Sequence, residues 1–156
     1  QIAFKPHPLL KEKLYKDSTW GIVKTNNYYK FWEDTPNTQL EEGDYLDLFY
    51  ESDGMILDSA SFTVEYLYCN KPSLFTIRKE ELNKRVNIFG EKVLEVVNNA
   101  MNAEDILEFI DNEILNEEDT KKEVRNEFVN KVLDFNRSQI SSEIIYNNIK
   151  EELVKK

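Results

Sequence analysis

Residues 52–66 read SDGMILDSASFTVEY. Met55, Ile56 and Leu57 form a short apolar run that ends in Asp58-Ser59-Ala60-Ser61, and FTVEYLYCN then continues with apolar residues at helical spacing. A buried strand running straight into an amphipathic helix is the unit from which parallel α/β sheets are built. Pro72 closes the helix, and SLFTI (73–77) returns as a second apolar strand. Residues 52–77 therefore predict strand, helix, strand, with two hydroxyls where the first strand becomes the helix.

Working outward, IAFK (2–5) reads as a strand, Pro6 and Pro8 flank His7, and LLKEKLYK (9–16) reads as a helix. WGIVK (20–24) predicts another strand. TNNYYKFWEDTPNTQ (25–39) fits neither period well and is expected as a long functional loop or irregular helix, whereas GDYLDLFYES (43–52) predicts a short helix. The expected fold class is α/β, a Rossmann-like parallel sheet with helices on both faces, followed by a helical C-terminal tail. Beyond about residue 85 no further strand is expected. Three apolar stripes follow instead: Ile106, Leu107, Ile110, Ile114 and Leu115; Val124, Phe128, Val129, Val132 and Phe135; and Ile140, Ile144, Ile145, Ile149 and Leu153. Asn102 and Asn116 stand where N-caps are expected, each with acidic residues in the turn that follows.

The chain has 156 residues, the length of one ordinary domain, so 1–156 is expected as a single domain with an α/β part (1–90) and a mainly helical part (91–156). Its composition, 40% hydrophobic with only 4 Gly and 4 Pro, is that of a folded globular chain. The one cysteine, Cys69, closes no intramolecular disulfide and supplies no thiol cluster for a metal, so a cytoplasmic address is expected. No apolar run approaches the roughly 20 residues needed to cross a bilayer. The opening at Gln1, directly on a strand-like segment, reads as a piece of a longer polypeptide.

A net charge of -10 argues against a nucleic-acid partner, since phosphate backbones are held by clustered Lys and Arg. The charge is uneven. Residues 1–90 carry 11 basic and 14 acidic side chains, residues 91–156 carry 9 and 16, and the first 30 residues alone carry 6 and 2, a net +4. A small anion is better matched to the N-terminal part than a polymer is to the whole.

In an open α/β sheet, ligands collect outside the carboxyl ends of the strands, where helix N-termini present free N–H groups to anions. Ser59 and Ser61, with the amides of Ala60, Ser61 and Phe62, occupy such a position. Asp58 or Ser59 also reads as an ordinary helix cap. A second strand-to-helix turn, KPHP, carries Lys5 and the only histidine, His7. An ammonium and an imidazole there suit a diphosphate or a departing phosphate. One His and one Cys among scattered carboxylates give no metal-ligand spacing, so neither metal nor other cofactor is expected.

Two stretches resemble the bacterial CDP-glycerol glycerophosphotransferases of teichoic acid and capsule polymer synthesis, which have the two-domain GT-B fold. FKPHP is similar to the family's strand and His-Pro turn, and YLDLFYESDGMILDSASFTVEYLYCNKPSLF to its helix, Asp-Ser-x-Ser strand end, helix and following strand. The resemblance covers roughly residues 1–90 by motif and extends more loosely into FGEKVLEVV (89–97) and the helical tail. It implies the C-terminal, donor-binding half of such an enzyme. In that half His7 is the catalytic residue near the transferred phosphate, and Lys5, Asp58, Ser59, Ala60 and Ser61 surround the nucleotide diphosphate. Glu65 is placed against the ribose hydroxyls by a wider similarity to GT-B proteins, and a carboxylate accepts well from a vicinal diol. For the nucleobase, residues 24–37 offer Tyr28, Trp32 and Asn37 for stacking or edge hydrogen bonds, or for packing.

The implied reaction transfers a polyol phosphate from a CDP-activated donor. An acceptor hydroxyl attacks phosphorus, the anhydride bond to CMP breaks, and His7 stabilises or protonates the departing phosphate. The acceptor, a polymer or lipid-linked chain, is bound by an N-terminal domain absent from this sequence, so the chain alone is expected to be inactive. The longer enzyme is expected to be cytoplasmic, peripheral on the inner face of the cell membrane. Two departures from the family's pattern stand out. The Thr/Arg-bearing segment usual before the His-Pro strand is missing, and Ala60 replaces a serine. A nucleotide-sugar glycosyltransferase donor domain, or a non-catalytic interaction domain built on the acidic helices 103–155, is the alternative.

Overall fold

A computed structural model describes residues 1–77, 87–133 and 140–155. Phe135, assigned above to the second apolar stripe, lies outside them. The architecture is α/β with short parallel strands and a helical C-terminal part, and it divides into two compact units, Gln1–Ser52 and Asp53–Lys156. Each is described by itself.

The first unit runs β1 (Ile2–Phe4), α1 (Leu10–Lys16), α2 (Gly21–Asp34), β2 (Thr38–Leu40) and α3 (Leu46–Glu51). β1 and β2 pair in parallel, Ile2 opposite Thr38 and Phe4 opposite Leu40. The strand expected at 20–24 is instead the N-cap residue Trp20 and the first turn of α2, and the loop expected at 25–39 is largely that same regular helix. The physical reason is local. The Asp17 carboxylate accepts from the amides of Thr19 and Trp20 (2.8 and 3.1 Å), and Gly21 takes the left-handed turn (φ 65°) that starts the helix. These hydrogen bonds, led by the one from the Thr19 hydroxyl, hold the Asp17 carboxyl below its usual range. Thr25 and Tyr29 are buried one turn apart, and Phe4 of β1 meets Trp32 in a stacked contact (5.0 Å) and Tyr28 edge-on (5.4 Å). The apolar face of α2 is built from Thr, Tyr and Trp, which is why an aliphatic count along the sequence misses it. β2, with the sequence TQL, is likewise an addition to the expected strands.

The second unit runs β3 (Met55–Leu57), α4 (Ala60–Tyr66, continued by one 3₁₀ turn, Leu67–Cys69), β4 (Ser73–Thr76), α5 (Ile88–Glu95), β5 (Asn98–Ala100), α6 (Ala103–Phe109, continued as a π turn Ile110–Leu115), α7 (Lys122–Phe128, continued as a π turn Val129–Leu133) and α8 (Ser141–Val154). The three strands lie in the order β3-β4-β5, all parallel, with Met55 opposite Ser73 and Leu74 opposite Asn98. Alternation along β4 separates two cores. Phe75 joins Leu57, Leu67, Val93, Val97 and Val129, whereas Leu74 joins Ala100 and Phe109, with Ile106, Ile110 and Ile114 packed around them. The sheet of this unit is therefore covered on both faces, as the continuous apolar runs predict.

Two expectations are corrected here. β5 is a strand beyond residue 85, hidden in the sequence because it reads Asn-Asn-Ala; β4 and the residues around it, not its own propensity, make it extended. Asn116 caps no helix start: it closes the π turn, and α7 begins only at Lys122. Asn102 does cap α6, accepting from the Asp105 amide (3.0 Å), while Asp105 reaches back to the Met101 amide (2.7 Å).

The α4–β4 connection is fastened to the segment before α7 by one side chain. Arg125, on α7, is fully buried. It donates from Nη1 and Nη2 to both Asp119 oxygens (2.9 and 2.6 Å), from Nε to Asn70 Oδ1 and from Nη2 to Asn70 O (both 3.1 Å). Asn70 and Asp119 both sit in left-handed backbone conformations (φ 53° and 34°). Beside them the buried Glu113 carboxylate accepts from the Thr120 amide (2.9 Å) and hydroxyl.

Replacing Arg125 by Ala strands a carboxylate and a carbonyl, so urea denaturation should show a loss of roughly 3–5 kcal/mol. Arg125→Lys should recover little of it, since an ammonium does not reproduce the four-bond fork. Gly54 marks a second tight point: a Cβ there would overlap Ile114 Cδ1 and lie 3.1 Å from the Pro72 carbonyl oxygen. Gly54→Ala should cost about 1–3 kcal/mol, with part of the loss restored when Ile114→Val is added.

Candidate functional site

The segment from Leu57 to Glu65 is held at both ends by buried residues. Leu57, the last residue of β3, is in the core, and Thr63 and Tyr66 are the buried residues of α4. The Leu57 carbonyl accepts from the Thr76 hydroxyl on β4 (3.2 Å). Between these anchors Asp58, Ala60 and Ser61 are exposed, and Ser59 and Glu65 are half-buried. Ser59 is the N-cap residue by backbone shape (φ -106°, ψ 116°), yet no side chain caps the helix. Its hydroxyl instead lies 3.1 Å from the Ser61 hydroxyl. The Ser59 carbonyl is doubly held, by the Thr63 amide (3.1 Å) and the Thr63 hydroxyl (2.8 Å).

The structure thus brings Asp58, Ser59, Ala60 and Ser61 together at the carboxyl end of a parallel strand, with Glu65 further along the same helix. The exposed Ser61 hydroxyl, the half-buried Ser59 hydroxyl beside it and uncapped first-turn amides form a donor-rich corner suited to an oxyanion. Thr63 was not singled out in the sequence. Its signal is the spacing, a Thr four residues after a serine at a helix start, where the hydroxyl bonds back to the carbonyl.

Lys5 and His7 belong to the first unit. Lys5 Nζ donates to the Gly43 carbonyl, which ties the end of β1 to the segment between β2 and α3. His7 is exposed between Pro6, which is buried, and Pro8. Its Nδ1 accepts from the Leu9 amide (3.1 Å), and its carbonyl from the Leu10 amide (2.8 Å). That acceptor role assigns the proton of the neutral ring to Nε2, the nitrogen left to meet a ligand as a donor.

Tyr28 and Trp32 are part of the aromatic group that packs α2 on Phe4, and Trp20 closes it edge-on against Tyr28 (5.3 Å). The Trp32 Nε1 is buried without a hydrogen-bond partner. Asn37 is exposed, in a left-handed conformation (φ 65°), and its carbonyl accepts from the Ile2 amide (2.8 Å), which starts the β1–β2 ladder. These three residues serve packing and register in the first unit.

An open groove of about 380 Å³ lies over β2, lined by Gln1, Glu33, Thr38, Gln39, Leu40 and Glu42. None of the residues singled out in the sequence lines it. Burial pushes the Cys69 thiol up, with Lys71 acting in the opposite direction, so Cys69 is a poor nucleophile at neutral pH. Among the described residues no group of His, Cys, Asp and Glu is arranged to hold a metal ion, and no helix is long and apolar enough to cross a membrane.

No family model, curated protein or solved structure matches the chain.

Because the Ser59 hydroxyl makes no capping bond, Ser59→Ala should lower stability by less than about 0.5 kcal/mol, well under the roughly 1 kcal/mol lost with a working cap. Thr63→Val removes a buried hydroxyl from its acceptor and should cost about 1 kcal/mol. Urea midpoints of the two variants test this order; an Ser59→Ala loss larger than that of Thr63→Val would show Ser59 to be the cap.

Proposed function

We propose that the chain is a nucleotide-donor-binding domain of Rossmann-like, GT-B type, belonging to a transferase that moves a polyol phosphate from a CDP-activated carrier to a cell-wall or capsular polymer. One observation carries the reading. The Asp-Ser-Ala-Ser strand end stands at the carboxyl edge of a doubly covered parallel sheet, with its hydroxyls 3.1 Å apart and free of any capping duty. A diphosphate needs several short, fixed donors, and this corner supplies hydroxyls and amides without a glycine-rich loop.

In this reading Ser59, Ser61 and the Ala60 amide bind the diphosphate beside Asp58, and Glu65 accepts from the ribose. Thr63 and Thr76 support the corner by fixing the Ser59 and Leu57 carbonyls. The family resemblance gives His7 a role at the departing phosphate, and within the first unit the ring atom left to donate a hydrogen bond is Nε2. Tyr28 and Trp32 pack on Phe4 in the first unit, and with Asn37 they are the groups that residues 24–37 offer a base.

The test is a thermal-shift titration with CMP, CDP, CDP-glycerol, UMP and UDP, in which a ligand specific for the folded state raises the midpoint. At a concentration about 100 times Kd the gain is about 2.7 kcal/mol. Cytidine diphosphates are expected to shift the midpoint more than CMP or the uridine series, and Ser59→Ala with Ser61→Ala should remove most of the difference. Equal shifts with CMP and CDP, or shifts untouched by the paired serine variant, would sink the assignment of the diphosphate to this corner.

A further inference from the structure

The parallel pair of the first unit has an open side. Its ladder is closed at the ends by bonds from the Ile2 amide to the Asn37 carbonyl (2.8 Å) and from the Glu41 amide to the Phe4 carbonyl (2.9 Å). Backbone groups of alternate residues in a strand point to opposite edges, so Asn37, Gln39 and Glu41 serve β1, while Thr38 and Leu40 face away from it. The Thr38 amide turns back to the Thr35 carbonyl (3.2 Å). That leaves the Thr38 carbonyl and the Leu40 amide and carbonyl, and among the described residues none of the three is in a hydrogen bond. The open groove of about 380 Å³ runs along this strand. Thr38 lies on the α2 side of the pair, its hydroxyl on the Trp32 carbonyl (3.0 Å), and Gln39 on the opposite side; both line the groove, which therefore follows the unpaired edge between the two faces.

The charge along this edge is one-sided. Glu33, on α2, and Glu42, past the end of β2, line the groove; both are exposed, and neither is in an ion pair among the described residues. Residues 31–52 contain seven acidic side chains and no lysine or arginine. Lysines of neighbouring segments are already engaged: Lys30 faces Asp34 (3.8 Å), and Lys5 donates to the Gly43 carbonyl. Natural sheets often guard an open edge with lysine. This edge has carboxylates instead, which repel a second copy of itself and favour a basic chain.

We propose that the open edge of β2 receives an extended, lysine- or arginine-bearing segment of a partner protein as a third strand. The partner's main chain donates to the Thr38 and Leu40 carbonyls and accepts from the Leu40 amide, and its basic side chains meet Glu33 and Glu42. Three ladder bonds on a short strand and two exposed ion pairs make a weak, salt-sensitive contact, with a dissociation constant of about 100 micromolar.

The probe is a capped octapeptide of alternating lysine and threonine, added to the intact chain at about 50 mM salt, with hydrogen exchange of the Leu40 amide as the readout. Saturation is expected to slow that exchange about tenfold; a Leu40 rate unchanged up to about 1 mM peptide overturns the proposal. The same peptide with every backbone nitrogen methylated keeps its charge and loses its ladder donors, so it should give no protection, and equal protection by it overturns strand addition. Glu33→Gln combined with Glu42→Gln changes two exposed side chains and should weaken binding of the unmodified peptide about tenfold. Binding indifferent to that pair overturns the assignment of a basic partner.

Discussion

Arg125 is the constraint on which the second unit is arranged. A guanidinium with no exposed surface is tolerable only if its donors are met, and four bonds to Asp119 and Asn70 meet them. Both acceptor residues adopt left-handed backbone, a conformation Asn and Asp accept more readily than bulky or branched residues. Asn70 ends the 3₁₀ turn after α4, and the next residues bring the chain into β4, where the Pro72 carbonyl accepts from the Met55 amide (3.1 Å). Asp119 lies in the segment that leads into α7. One side chain therefore sets the entry of the central strand and the start of the helix that sends Val129 into the core.

The polar network stands at the amino end of the strands, and the Asp58–Ser61 corner at the carboxyl end. This division is common in parallel α/β architecture: one edge is spent on holding the layers in register, and the other is left for chemistry. At the carboxyl edge the supporting bonds are modest and neutral, from Thr63 to the Ser59 carbonyl and from Thr76 to the Leu57 carbonyl. They leave the serine hydroxyls bonded only to one another. A turn stabilised through its carbonyls can present its hydroxyls and amides outward, which a turn stabilised through its hydroxyls cannot.

The parts of this structure legible in the sequence are those decided by neighbours in the chain. β1, β3, β4, α1, α3, α4 and the Asn102 cap follow from local apolar runs, prolines and side-chain-to-backbone bonds within a few positions. α2 was obscured because its packing face is made of Thr25, Tyr28, Tyr29 and Trp32, residues that also suit loops and binding surfaces. β5 was invisible, since Asn98 and Asn99 disfavour strands and are extended only because β4 lies beside them. Arg125 was equally hidden: its partner Asn70 is 55 positions away, and nothing in KKEVRNEF distinguishes a buried arginine from a solvated one. For the candidate site, the grouping of Asp58 with Ser59 and Ser61 was readable because it is contiguous, whereas Thr63 acts through a carbonyl that the sequence does not display.

The strand pairings have a further consequence, for the order in which the chain acquires its shape. Every pairing among the described residues is parallel and bridged by helix: Met55 meets Ser73 18 positions on, Leu74 meets Asn98 24 positions on, and Ile2 meets Thr38 36 positions on. Among the described residues no hairpin offers a cheap first contact. Each sheet contact must wait until a loop of that length has closed, a cost met before any ladder bond rewards it. Helices therefore form and break many times before the strands meet, and until then Leu57, Leu74 and Phe75 remain open to solvent. Until the strands meet, these three apolar residues are surface through which one unfolded chain can stick to another.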